Sequence, residues 1–241
     1  MKIPVVHGVI DRRILVNYRV AVDVLQELLP RPFRPQQVRG YGIAGICLIR
    51  LRHLRPWFVP RLLGVSSENA AHRIAVEWDD DDGPRHGVYI PRRDTSSRWN
   101  VLVGGRLFPG LHHHARFAIE ESAAAYGLTM QSDDGEANVV VQGEVADRLP
   151  PGSLFASLDE VSRFFQQGSL GYSATASAGS YEGLELRTRD WQVIPLAISH
   201  VESSFFQNAE KFPPGSAVFD NALLMRGIEH EWHSRPELCA T

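Results

Sequence analysis

Arg13-Ile14-Leu15-Val16-Asn17-Tyr18-Arg19-Val20, followed at once by Ala21-Val22-Asp23-Val24-Leu25-Gln26-Glu27-Leu28-Leu29-Pro30-Arg31-Pro32, is the stretch on which the fold rests. Its first half alternates, placing Ile14, Val16, Tyr18 and Val20 on one face, the period-two signature of a half-buried strand. The period then changes. Ala21, Leu25, Leu28 and Leu29 share one side at helical spacing, which predicts a helix over 21–29. Pro30 and Pro32 stop it, because proline lacks an amide hydrogen and disfavours helix in the residue before it.

Outward from that stretch the chain reads mainly as strands. Ile43 to Leu51 is apolar on both faces, as suits a central strand. His72 to Trp78 alternates, and Gly87-Val88-Tyr89-Ile90 follows after Asp79-Asp80-Asp81-Asp82-Gly83-Pro84, a pairing that predicts a hairpin. Those four aspartates lack the spaced ligands and closing glutamate of a calcium loop, so they read as a solvated tip. Trp99 to Val103, Ala115 to Ile119, Val139 to Val145, Glu185 to Ile194 and Leu196 to Phe206 extend the strand pattern. One helix stands out over Leu158 to Gln167: Ser157 and Glu160 form an S-x-x-E capping box, and Gly168 suits a left-handed position after it. A second, shorter helix is expected over Ala217 to Met225, after Pro213-Pro214-Gly215. No repeat or linker divides the chain, so residues 1–241 read as a single domain. The class is α+β, mainly antiparallel β, as a barrel or strongly curved sheet with two or three helices.

Composition narrows the function. The chain has 241 residues, 44% of them apolar and 22% charged, enough for a sizeable core and unlike a disordered chain. A formal charge of −3 gives no basis for binding nucleic acid. No apolar run approaches the roughly 18 residues of a spanning helix, and Met1 to His7 has no signal-peptide core, so no membrane attachment is expected. Cys47 sits in the apolar run Ile43 to Ile49 and Cys239 near the end; unpaired, they fit a reducing, cytoplasmic compartment. Lys2 and Lys211 are the only lysines, so arginine carries nearly all the positive charge.

Four segments carry groups suited to chemistry. Tyr89-Ile90-Pro91-Arg92-Arg93-Asp94-Thr95 combines arginine forks with hydroxyls and makes Tyr89, Arg92, Arg93 and Asp94 candidate binders of an anionic ligand; equally, Asp94 and Thr95 form a capped turn while the arginines pair with surface acids. Arg106, in Val103-Gly104-Gly105-Arg106-Leu107-Phe108-Pro109-Gly110, lies among apolar residues and is either buried against a carboxylate or aimed into a cavity. Glu68, in Ser66-Ser67-Glu68-Asn69, is a candidate proton-transfer group and a candidate salt-bridge partner of an arginine, two readings that do not exclude each other. His112-His113-His114 places only His112 and His114 on one strand face, short of the three protein ligands zinc requires; His114 is kept as a candidate for moving a proton. No metal is expected. Gly-x-Ser-x-Gly, Walker and Rossmann patterns are absent, so no cofactor is expected either.

The order of these segments resembles the acetoacetate decarboxylase-like superfamily. It is carried by Asn17-Tyr18-Arg19 before the helix and Leu29-Pro30-Arg31-Pro32-Phe33 after it, Gly45 to Leu51, Gly104-Gly105-Arg106 with Pro109, and Ser199-His200-Val201-Glu202. Pro91-Arg92-Arg93-Asp94-Thr95 and Gly105-Arg106-Leu107-Phe108-Pro109-Gly110 are similar to a bacterial branch of it, domain of unknown function 2071. The resemblance implies a cone-like β-barrel around an apolar pocket, with homo-oligomers common. Its decarboxylases form an imine between a lysine and a β-keto acid, on a lysine that follows a proline soon after the Gly-Arg pair. Here Gly110 or Leu111 stands in that place, so the imine mechanism does not carry over.

Two functions follow. One is an enzyme of lyase or isomerase type acting on a small oxo or carboxylic acid, with Arg92, Arg93 or Arg106 holding the carboxylate and Glu68 or His114 moving the proton. The other is a non-catalytic sensor or carrier of a small apolar or acidic metabolite on the same barrel.

Overall fold

The first strand, β1 (Val6–Val20), is paired along both edges, with β4 (Tyr41–Pro56) on one side and β13 (Ala217–Cys239) on the other. In the computed structural model, which describes residues 4–80, 82–98, 101, 110–175 and 177–239, this triplet is the centre of a 13-stranded sheet. From β4 the pairing runs through β5 (Val65–Asp80) to β6 (Gly83–Thr95), then β7 (His112–Glu121), β8 (Ala125–Ser132), β9 (Asn138–Val145) and β12 (Ile194–Ser203), and returns to β13. The strands therefore close into a ring. A second, shorter closure leaves β6 through β10 (Leu170–Ala174) and β11 (Ser180–Thr188) and also ends on β13. Two-residue strands β2 (Arg34–Pro35) and β3 (Gln37–Val38) border β5 and β4. Pairings are antiparallel except β6–β7 and β6–β10.

Both closures share β13, β1, β4, β5 and β6, so each shared strand is covered on two faces. Ile14, Val16, Tyr18 and Val20 enter one apolar cluster, as their alternation predicts, with Ile46, Leu48 and Ile74. Leu15, Ile43, Cys47 and Met225 enter the other, against Val161 and Phe165 of helix α2 (Leu158–Gln167). Helix α1 (Val22–Leu28) buries Leu25, and the chain beyond it delivers Phe33 against Trp78, Tyr89 and Tyr172. The third helix, α3 (Ser204–Gln207), is one turn long.

The hairpin over 72–90 and the capping of α2 form as expected: Ser157 Oγ accepts from the Glu160 amide at 3.1 Å. Gly168 does not take the left-handed conformation. Its φ is −82°, because its amide still bonds to Phe164 O at 3.2 Å and the chain passes straight toward β10. The helix expected over Ala217 to Met225 is the start of β13, paired to β1 from Ala217 onward. Ala222 and Leu224 face one cluster while Leu223 and Met225 face the other, so burial on both sides erased the alternation that marks a strand. The strand expected over Glu185 to Ile194 ends at Thr188, and the one expected to reach Phe206 gives way to α3 after Ser203. The strand expected over Trp99 to Val103 lies outside the described residues except for Val101. Cys47 and Cys239 are both free thiols, and no described helix is long and apolar enough to cross a membrane.

Candidate functional site

On the second face of the shared strands, a cleft of about 130 Å³ opens between β1, β4, β5, β6 and the β10–β11 pair. Register sets its floor: Leu15, Cys47, Ala71 and Arg93 stand level on four adjacent strands, and the small side chains of Cys47 and Ala71 leave space above them. Ile49, Leu51, Ile90, Leu186 and Trp232 supply apolar walls. Three arginines reach into it: Arg13 from β1, Arg73 from β5 and Arg93 from β6.

None of the three has a carboxylate partner among the described residues. Arg13 Nε donates to Cys47 Sγ at 3.2 Å, Nη1 faces Met225 Sδ at 3.8 Å, and the guanidinium lies 5.8 Å from the Trp191 ring centre. Arg73 is 5% exposed, donates through Nη2 to Asn17 Oδ1, and stacks 4.5 Å above Phe165, while its buried Nε has no partner among the described residues. Arg93 Nε donates to Ser173 Oγ at 3.2 Å. Burial lowers the Arg73 guanidinium to about 10; the Cys47 sulfur opposes this and the charge of Arg13 adds to it. Arg93 is likewise lowered to about 10 by burial, with Cys47 opposing. His112 borders the same cleft, its Nδ1 set against Gly110 O at 3.2 Å. A carbonyl only accepts, so Nδ1 carries the proton and Nε2 the lone pair. Burial, then the charge of Arg93, lowers this imidazole to about 4, and it is neutral at pH 7. Gly110 has a φ of +81° and packs so closely that a Cβ there would meet Ser173 Cβ at 2.7 Å, which reserves the position for glycine.

The other candidates are placed differently. Arg92 is bound to Asp94, Asp134 at 2.8 Å and Glu136 at 2.9 Å, tying β6 to the β8–β9 turn. Asp94, raised by burial and pulled back by Arg92, touches the rim of the cleft while its carboxylate serves Arg92. Tyr89 is buried in the first cluster, 5.6 Å from the Phe33 ring centre. Glu68 lines neither this cleft nor the other large one. Its carboxylate bridges Arg12, at 2.6 Å, and Arg50, both of which also hold Glu121, as the salt-bridge reading expects. The histidine run divides: His113 meets Asp134 at 2.8 Å and His114 meets Asp133 at 2.7 Å, leaving His112 to the cleft. Arg106 lies outside the described residues. Among the described residues, no three His, Cys, Asp or Glu side chains gather as a metal site would require. Lys211, far in sequence from the Gly110 position, rests its Nζ 5.0 Å from the Phe205 ring centre.

Arg13, Arg73 and Ser173 were not singled out from the sequence. The signal was parity: Arg13 shares a face with Leu15, and Arg73 with Ala75, both apolar, so that face is covered and its arginines are interior.

The closed sheet has an acetoacetate decarboxylase-like fold. Acetoacetate decarboxylase from Legionella pneumophila superposes with a TM-score of 0.63 at 8% identity, covering 98% of this chain and 88% of that one. The enduracididine biosynthesis enzyme MppR, solved with pyruvate, gives 0.59 at 10% identity, covering 100% and 92%. An acetoacetate decarboxylase-like enzyme from Sphingomonas wittichii RW1 gives 0.57 at 11% identity, covering 99% and 93%. No curated protein matches the chain. Over residues 10–224 it matches the uncharacterized conserved protein family designated domain of unknown function 2071, and it belongs to that family.

Proposed function

We propose that the cleft binds a small oxo or carboxylic acid and that the chain is an enzyme of lyase or isomerase type acting on it without a lysine imine. The observation that carries this reading is the set of three guanidiniums lining one cleft with no carboxylate partner among the described residues. Holding a desolvated cation without a counter-ion is costly, and an anionic ligand supplies the missing partner. The place where the family resemblance sets the decarboxylases' lysine borders the same cleft: an atom added at Gly110 would lie 3.6 Å from Arg93 Nε. A structural neighbour, MppR, was solved with pyruvate, itself a small oxo acid.

In this reading the arginines hold the carboxylate and stabilise the negative charge that develops on an enolate oxygen, an effect strengthened by exclusion of water. His112, neutral and lining the cleft, joins Glu68 and His114 as a candidate for moving the proton; Arg106 remains a candidate for the oxyanion. The depression of His112 to about 4 favours one alternative, a non-catalytic binding protein on the same scaffold, because so weak a base transfers protons slowly. Proton exchange decides between them. Pyruvate and short β-keto acids incubated with the protein in deuterium oxide lose their α-proton signals by NMR if the enzyme reading holds, and Arg93→Gln stops the loss. Binding without exchange selects the carrier. Borohydride trapping of the same mixtures leaves no adduct, and a stable adduct on Lys211 overturns the imine-free mechanism.

A further inference from the structure

We propose that the ligand of the arginine cleft carries two separated anionic ends, as a short-chain dicarboxylate does; this rests on the reading of the cleft as an acid-binding site. The arginines do not form one cluster. Arg13 and Arg93 stand on strands three steps apart, β1 to β4 to β5 to β6, a backbone separation of about 14 Å at the usual strand spacing. Apart from Cys47, which lies between them and accepts from Arg13, their contacts differ. Arg13 leans toward Met225 and Trp191, and its charge is felt by Arg73, which stacks on Phe165 of α2. Arg93 leans toward Ser173 of β10, and its charge is felt by His112.

Between the two ends lies the small-residue floor, Cys47 and Ala71, walled by Ile49 and Leu186. Cys47 receives the Arg13 Nε–H, and its electrostatic effect reaches Arg73 and Arg93 alike. The arrangement is cationic, apolar, cationic. A monoacid satisfies one end and strands the other guanidinium without a counter-charge. A compact dianion such as inorganic phosphate brings two charges to one end. A diacid with a short methylene spacer matches both ends and the apolar middle. The volume of about 130 Å³ lies well below that of pockets for drug-sized ligands, which keeps the spacer short.

The test is calorimetric titration of the whole chain, in chloride buffer at pH 7, with succinate, glutarate, butyrate and inorganic phosphate. The dicarboxylates bind about ten- to a hundredfold more tightly than butyrate, the factor one additional charge-assisted contact supplies. Arg13→Gln and Arg93→Gln, each checked for native circular dichroism, bring succinate to the level of butyrate, whereas Arg13→Lys and Arg93→Lys retain part of the preference. Butyrate within twofold of succinate overturns the two-ended assignment while leaving the acid site intact, and so does phosphate binding more tightly than either diacid. Binding of none of the four, nor of pyruvate, removes the acid-site reading and this proposal with it.

Discussion

Arg93→Met should make the ligand-free protein more stable and bring succinate binding down to the level of butyrate. The lowering of Arg93 from its ordinary value to about 10 corresponds to what the fold gives up to keep the side chain charged: about 3 kcal/mol, at about 1.4 kcal/mol per tenfold change in proton affinity. Methionine removes that charge and retains most of the apolar stem. The loss on the other side is the hydrogen bond to Ser173 Oγ, which contributes about 1 kcal/mol. The net gain is about 1 to 2 kcal/mol, which in a chain of this size raises Tm by about 2 to 8 °C. Because the folded value is the depressed one, the penalty is complete at every pH below about 10 and is relieved only as pH rises through about 10 toward the ordinary arginine value. The gain is therefore constant between pH 6 and 9. Calorimetric melting in chloride buffer, free of phosphate, citrate and other acids, reads it directly. A variant that melts below the parent protein by several degrees refutes the reasoning, since Arg93 would then already be neutralised in the resting protein.

Glu68→Gln leaves Arg12, 1% exposed, with Glu121 as its remaining carboxylate, and is expected to lower stability in urea by about 3 kcal/mol while changing acid affinity less than twofold; a tenfold loss of affinity with the fold intact would return Glu68 to the site. His72 is fully buried and stacked on Phe205, and burial, then the charges of Arg92 and Lys211, lowers it to about 3. Its folded value lies below the unfolded one of about 6.5, so its neutral form contributes stability that is complete above pH 6.5 and is lost as pH falls toward 3. His72→Phe should flatten the urea stability profile between pH 6 and 4 by about 1.4 kcal/mol per pH unit, and an unchanged slope would show that His72 does not titrate with unfolding.

Where polar side chains mark one face of an element, as Arg13, Asn17 and Arg19 do in β1, the chain could be read directly. The alternation of Ile14, Val16, Tyr18 and Val20 set the first strand, and Ser157 with Glu160 set the start of α2. Reading failed where both faces are buried and no polar periodicity marks them. Ala217 to Met225 has no polar side to mark a period, so a central strand passed for a helix. The site followed the same rule. Arg93 was legible because Arg92-Arg93-Asp94 concentrates charge, but which neighbour is neutralised depends on Asp134 and Glu136, about 40 residues away. Arg13 and Arg73 escaped notice because the second covering layer, α2 with β10 and β11, cannot be anticipated from the strands it covers.

The pairing of β1 with β13 also sets a timetable. Arg13 and Met225 stand opposite each other across 212 positions of chain, and synthesis at about 5 to 20 residues per second separates their appearance by about 10 to 40 s. Throughout that interval β1 can dock on β4 and still present an open, apolar edge. Neither closure of the sheet can form before β13 emerges, since both end on it. This architecture matures late and all at once, and its nascent chain is a natural client for chaperones that shield unpaired strands.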